Sequence, residues 1–416
     1  MTPEIKHRIE KIRHGNVPDG YKKTKAGILP ADWDVYMLGD CLSRVERPVE
    51  VKPNELYTQI GIRSHGKGLF YKEPVTGAAL GNKVVFWIEP DCFIVNIVFA
   101  WEQAIGKTTQ SEVGMIGSHR FPMYRPVNDR VDIDYLISYF LTKRGTDILE
   151  AASPGGAGRN KTLGQDRFLK SKITLPPIEE QRKIAAILTT QDKVIKLKET
   201  RLAEKQRQKK YLMQQLLTGK KRLPGFYGAW SFPKAKELFQ SVSDKDHNGD
   251  LAVLSSTQDR GIVPRDEVDI DIKYDACSLV NYKKVSKGNF VISLRSFQGG
   301  IEYSTYTGLV SPAYTVLSSR KEISDGYYKQ FFKSTDYINR LNVAVYGIRD
   351  GKQISYEDFG RLRIPYPPIK EQDAIAEVLS TADHEIDLLQ QDIEQEKQKK
   401  KALMQLLLTG IVRVKI

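Results

Sequence analysis

The sequence predicts an α/β protein built twice: a module, a long helix, a second related module and a second long helix. Three observations lead there. Residues 175–219 align on 366–410 without a gap, with 21 identities in 45 positions, and a compositional match would not hold register over that length. Both segments open on a Pro-Pro pair and end in Leu-Leu-Thr-Gly. The stretches before them are short, β-branched and aromatic, broken by Gly, Pro, Asn and Asp, as in mixed α/β modules with many loops.

Residues 1–25 form a basic leader, net +4, in which Ile5, Ile9 and Ile12 give a helix one apolar face that packs on something. Residues 26–174 form the first module. Its "FIVNIVFAW" run at 93–101 is nine residues long, too short to span a bilayer and consistent with a buried strand. Residues 175–221 carry the first long helix. Pro177 suits a first helical position, Glu179 and Glu180 sit in the turn favoured by the helix dipole, and Gly219 is a natural stop. Residues 222–365 form the second module, and 366–416 carry the second long helix with Pro368, Glu371 and Gly410 in the matching places. About 42 residues at 1.5 Å each give roughly 63 Å of helix.

A seven-residue rhythm runs through both helices. Leu188, Ile195, Leu202, Lys209 and Leu216 occupy one seam position, matched by Leu379, Ile386, Ile393, Lys400 and Leu407. The other seam position mixes apolar and charged residues, so the stripe is narrow and fits one coiled-coil partner. The first helix has ten basic and five acidic residues, the second five and nine; a +5 helix beside a −4 helix favours that pairing over self-pairing. Leu217 and Leu408 fall beside the seam and are expected to be apolar flanks left for other subunits.

The modules duplicate more weakly. Trp33 aligns with Trp230, Lys67 with Arg260, Gly68 with Gly261, "CFIVNIV" (92–98) with "NFVISLR" (289–295), Lys161 with Lys352, and Phe168 with Phe359.

The charge of +13 points to a polyanionic partner, yet its location matters more than its total. The module 26–174 has 18 basic and 17 acidic residues, and 223–365 has 19 and 17. The surplus lies in the leader, the first long helix and "KKR" at 220–222. Cys41, Cys92 and Cys277 are far apart with no CxxC spacing, which argues against a disulfide scaffold or a zinc site and fits a reducing cytoplasm. No signal peptide and no membrane-spanning run is visible.

Catalytic motifs are missing. "GGAGRNKT" (155–162) has Asn160 where a phosphate-cradling loop needs its second Gly, and "YGIRDGKQ" (346–353) breaks the motif elsewhere. No GxSxG, HExxH or [DNS]PP[YF] motif occurs, so the chain reads as a binding protein and not an enzyme.

The paired "LPPIEEQRKIAAIL…LMQQLLTG" and "YPPIKEQDAIAEVL…LMQLLLTG" helices, each behind a module opening around a Trp, resemble the DNA specificity subunit of Type I restriction–modification systems. The resemblance covers essentially the whole chain. It implies two target-recognition domains separated by two long antiparallel helices, each domain reading one half of a bipartite double-stranded DNA site. It further implies two modification (methyltransferase) subunits and ATP-dependent restriction subunits as partners. S-adenosylmethionine, ATP and magnesium then belong to those partners, with no cofactor or metal in this chain.

Base readers are expected among Arg, Lys, Asn, Gln, Ser and Thr on Gly-flanked loops, which make directional contacts with base edges. In the first module these are Arg63, Ser64, His65 and Lys67, then Arg159, Asn160 and Lys161. In the second they are Thr257, Gln258 and Arg260, then Arg349, Lys352 and Gln353, with Arg295 and Gln298 in "LRSFQGG". The alternative is a scaffold that holds protein partners on its paired helices and touches no DNA. Only a DNA reader explains why the helices are copied well while the loops differ.

Overall fold

A computed structural model describes residues 2–24, 27–155, 161–268, 276–294, 296–344 and 354–414. The chain divides into two compact units, 1–197 with 393–416, and 198–392. Each contains the first part of one long helix and the last part of the other.

The first unit is organised around a four-stranded antiparallel sheet in the order Ile105–Lys107, Phe93–Val95, Met123–Pro126, Leu42–Val45. In the second unit the sheet runs Glu302–Tyr303, Phe290–Ile292, Thr315–Ser319, Phe239–Val242, with the same neighbours in the same chain order. Two hairpin-like pairs also recur. Ile60–Ile62 with Leu69–Tyr71 corresponds to Leu254–Thr257 with Gly261–Pro264, and Val85–Trp87 with Ile116–Ser118 to Lys283–Val285 with Gly308–Val310. Helices follow suit: Ile133–Phe140 and Lys143–Ala151 match Asp325–Phe331 and Thr335–Ala344. The weak sequence duplication is therefore a repeated fold, and the two halves of the aligned pair "CFIVNIV" and "NFVISLR" supply the same strand. The run 93–101 is strand only over Phe93–Val95, beyond which Asn96 and Phe99 turn the chain into a 3-10 helix, Ala100–Glu102.

Each sheet is packed by aromatics. Phe93, Tyr124, Phe140 and Phe168 cluster in the first unit, with Phe93 stacked on Phe168 at a centroid distance of 6.0 Å. Phe239, Phe290, Phe332 and Phe359 take those places in the second. Such rings bury large areas and favour the tilted contacts seen here.

The long helices run Ile178–Leu216 and Ile369–Leu407, 39 residues each. Helical structure begins one residue after Pro177 and Pro368, whose carbonyls accept from the backbone N–H groups of Glu180, Gln181, Glu371 and Gln372. Within the first unit, Gln191 donates to the Glu396 carboxylate at 2.6 Å and Lys400 pairs with Asp192 at 2.6 Å. Within the second, Lys198 meets Asp392 at 2.8 Å, Lys205 meets Glu385 at 2.6 Å, and Lys209 meets Asp383. In the second unit numbers rise on one helix as they fall on the other, so the helices pair antiparallel there, and in both units opposite charges meet across the pair. The narrow seam has an apolar thread: Leu188, Ile195, Leu379, Ile386 and Ile393 are buried. Leu217 and Leu408 are not flanks left for other subunits. They are 1% and 2% exposed and belong to the cores of the second and first units.

The N-terminal helix Pro3–Arg13 is only partly covered; Arg8 reaches the Ile411 carbonyl at 3.4 Å and lies over the Tyr21 ring. The face predicted for Ile5, Ile9 and Ile12 is half-buried.

Candidate nucleic-acid interface

The duplicated Pro-Pro-Ile-x-Glu-Gln start is a latch. In the first unit, Glu180 is fully buried and accepts from the Trp33 indole N–H at 3.2 Å and from Arg413 at 2.7 and 2.8 Å. In the second, Glu371 is fully buried and accepts from the Trp230 indole at 2.9 Å and from Arg222 at 2.5 and 2.6 Å. Arg222 and Arg413 lie 191 positions apart, like Glu180 and Glu371. A buried carboxylate is tolerable only when paired and hydrogen-bonded, which the fork of an Arg does well. The neighbouring glutamines hold the loops. Gln181 accepts from the Asp132 N–H and donates to the Arg130 and Pro176 carbonyls, while Gln372 accepts from the Ser324 N–H and donates to the Pro367 carbonyl. Each module is thereby fixed to its helix start.

The candidate reading loops sit on the recurring hairpins. Residues 63–68 join Ile60–Ile62 to Leu69–Tyr71, and 258–260 join Leu254–Thr257 to Gly261–Pro264. Gly68 and Gly261, paired by sequence, both have left-handed backbone, φ 75° and 76°, which glycine adopts without steric cost.

The first loop is rigidly seated. Its His65 and Gly66 N–H groups donate to the Glu102 and Gln103 carbonyls at 2.7 and 2.9 Å, and Ser64 Oγ donates to Glu102 Oε2 at 2.8 Å. His65 has φ 60°, an uncommon conformation for a side chain-bearing residue. Arg63 donates to the Leu69 carbonyl at 3.0 Å and stacks over Phe70. Arg63, His65 and Lys67 are exposed. Lys161 lies over the Trp101 ring at 5.4 Å, so the 3-10 turn Ala100–Glu102 brings Lys161 and the 63–68 loop to one place.

In the second unit, Thr257 Oγ1 accepts from the Arg260 N–H and donates to the Gly261 carbonyl. Arg260 is held by Glu267, and Lys333 binds the Gln258 carbonyl at 3.1 Å, the Gly299 carbonyl at 2.9 Å and the Glu302 carboxylate. Lys333 thus ties the Gln258 loop to the turn that carries exposed Gln298. Glu302 is buried, and burial raises its carboxyl pKa against the opposing pull of Lys333. Arg159, Asn160, Arg295, Arg349, Lys352 and Gln353 lie outside the described residues.

Sequence reasoning missed Trp101, Glu102, Lys333 and Glu302 as loop supports, and the Trp–Glu–Arg latches. The latches carried a signal: the alignment of 175–219 on 366–410 continues three residues further to place Arg222 on Arg413. Among the described residues no cluster of His, Cys, Asp and Glu could hold a metal, and no helix is long and apolar enough to cross a membrane.

The family model for the Type I restriction modification DNA specificity domain matches residues 72–207 and 229–398, once in each repeat. The chain belongs to this family. It is 26% identical over 429 residues to the MjaX type I restriction enzyme specificity subunit of Methanocaldococcus jannaschii, covering 95% of this chain and 97% of that relative. Among solved structures, the family fold is matched by a chain of a type I R-M system studied for its complex assembly and conformational transition. That match has TM-score 0.58 and 19% identity, over 92% of this chain and 99% of that one. The HsdS subunit from Thermoanaerobacter tengcongensis matches with TM-score 0.50 and 18% identity, over 92% and 98%. The mixed α/β modules and long helices expected from sequence are the fold of this family.

Proposed function

We propose that the chain is the DNA specificity subunit of a Type I restriction–modification complex, non-catalytic itself, with each module reading one half of a bipartite site. The observation that supports this best is the contrast between latch and loop. The same Trp, Glu, Gln and Arg fix both modules to their helices, while the hairpins above them present Arg63, Ser64, His65 and Lys67 in one unit and Thr257, Gln258 and Arg260 in the other. Identical mounts with different readers suit two different half-sites at fixed spacing, the logic by which paired DNA-binding modules set half-site separation.

Two modification subunits are the expected partners, one per repeat, joined by restriction subunits for cleavage; S-adenosylmethionine, ATP and magnesium are assigned to those subunits. Support for a repeated docking site comes from Leu197 and Leu388, which are 191 positions apart and remain 70% and 50% exposed on the long helices. The cysteine usage, with no CxxC spacing, supports a cytoplasmic location for the complex.

A mobility-shift assay with random duplexes, with and without the modification subunit, tests the reading. Selective retention of a bipartite sequence is expected, and sequencing methylated bases in the host identifies it. A chain that assembles with protein partners but never retains DNA would establish the scaffold alternative instead. Mass measurement at saturating modification subunit should give two copies per chain, and a stable one-to-one complex would overturn that stoichiometry.

A further inference from the structure

The near-neutral modules leave the grip on the phosphate backbone unexplained, since that grip normally supplies much of the affinity of a DNA-binding protein. In the first unit an answer lies beside the 63–68 loop. A cleft of about 590 Å³ is lined by Leu141, Met404 and Leu408 and by Lys143, Arg144, Lys397, Lys400 and Lys401, with no carboxylate in its lining. Two carboxylates outside it meet these cations, Asp147 pairing with Lys143 and Asp192 with Lys400, each at 2.6 Å. It adjoins the loop directly: a Cβ on Gly66 would come within 2.4 Å of Leu141 Cδ2.

The matching cleft of the second unit, about 570 Å³, is different in charge. Lys209 and Met213 line it where Lys400 and Met404 line the first, 191 positions on. Yet its four cations, Lys209, Arg260, Lys329 and Lys333, are balanced by Asp259, Glu302, Asp383 and Asp387. Lys209 is paired with Asp383 and Lys333 with Glu302. At the positions of Leu141, Lys143, Arg144 and Lys397 stand Lys333, Thr335, Asp336 and Gln206.

We propose that Lys143, Arg144, Lys397 and Lys401 contact the phosphate backbone of the duplex that the 63–68 loop reads, and that the second unit has no equivalent contact. The proposal rests on the DNA-reading function above. Its physical basis is the excess of clustered, exposed cations over the carboxylates that meet them, which attracts phosphates and releases their counterions on contact. The grip is then lopsided, with the first unit supplying most of the salt-dependent affinity and the second supplying mainly base discrimination.

The test uses the full chain with its modification subunit and a random-sequence duplex, with binding measured from 50 to 200 mM KCl. Each phosphate contact contributes about 0.9 to the slope of log affinity against log salt. Replacing Lys143, Lys397 and Lys401 together by Ala should therefore lower that slope by about two to three, with selected half-sites unchanged. Arg at the same three positions should restore it. Lys210→Ala, the second unit's counterpart of Lys401→Ala, should lower the slope by less than one contact's worth. A triple-Ala variant with the wild-type slope overturns the proposal while leaving the DNA-reading function standing. A variant with the wild-type slope that sheds its modification subunit would show instead that the cleft docks an acidic protein segment. If the wild-type complex retains no duplex at all, the function itself falls, and this proposal with it.

Discussion

Arg413 grips Glu180 through two hydrogen bonds, 2.7 Å from Nε to Oε1 and 2.8 Å from Nη2 to Oε2, on a side chain with 0% exposure. Removing one partner of a buried ion pair leaves an uncompensated charge, at about 3–5 kcal/mol. Arg413→Met should approach the low end of that range, because the Trp33 indole still donates to the carboxylate. Hydrogen exchange should show the loss in the first unit only. Arg222→Met should give the mirror result in the second, and equal deprotection of both units by either variant would contradict the latch.

The same guanidinium binds Asp32 at 2.7 and 2.9 Å, and this hydrogen bonding holds the Asp32 carboxyl below its ordinary 3.8. A carboxyl with a depressed folded-state pKa contributes stability above its unfolded value and loses it as pH falls through the folded one. Asp32→Asn should therefore be less stable than wild type at pH 6, with the gap closing below about pH 4. Denaturant titrations at the two pH values would reveal a constant gap if this linkage were absent.

On the helix pair, Lys205 and Glu385 are 32% and 48% exposed at their side chains. An exposed, solvent-screened pair of this kind contributes only weakly. Lys205→Glu should be destabilising, and adding Glu385→Lys should recover most of the loss. A double variant no better than the sum of its singles would deny the pair any coupling.

Base reading should separate from backbone contact by residue. Arg63→Ala and Gln258→Ala should each relax one base position, at about 1–3 kcal/mol for a good bidentate contact. Lys161→Ala should weaken all sequences alike. Selection profiles identical to wild type for all three would remove these loops from the interface.

The helices should act as a ruler. Thr200 and Gln391 both lie within two residues of the Lys198–Asp392 bridge, so four residues inserted after each lengthen the two helices at nearly the same level. Each gains roughly 6 Å, against 3.4 Å per base pair. With the helices inclined to the duplex, the unread spacer should grow by one to two base pairs with both half-sites unchanged. A folded, active variant with its old spacer would leave the helices as docking surfaces only.

The repeat was legible because it is written in residues that local rules constrain: prolines at helix starts, glycines at stops, a heptad stripe, opposite charge on two helices. The hairpin correspondence of Gly68 with Gly261 could be read for the same reason, since both need left-handed backbone. What sequence could not supply was long-range pairing. Glu180 looks like a first-turn dipole partner until Arg413 arrives from 233 residues away. Leu217 and Leu408 look like surface because heptad position locates them beside the seam, whereas burial depends on the module that closes over the helix end. Lys333 gave no local sign of supporting the Gln258 loop 75 residues before it.

The division of the chain also orders its birth on the ribosome. The second unit is one continuous stretch, 198–392, but the first needs 393–416 in addition to 1–197. Leu407 and Leu408 are buried in its core, and Leu403, Met404, Val412 and Val414 pack against it. At 5–20 residues per second, roughly 10–40 s pass between translation of the first unit's main segment and arrival of its missing wall. The module synthesised first is therefore the last to mature, spending that interval with the apolar groove for the final helix turn open to the cell.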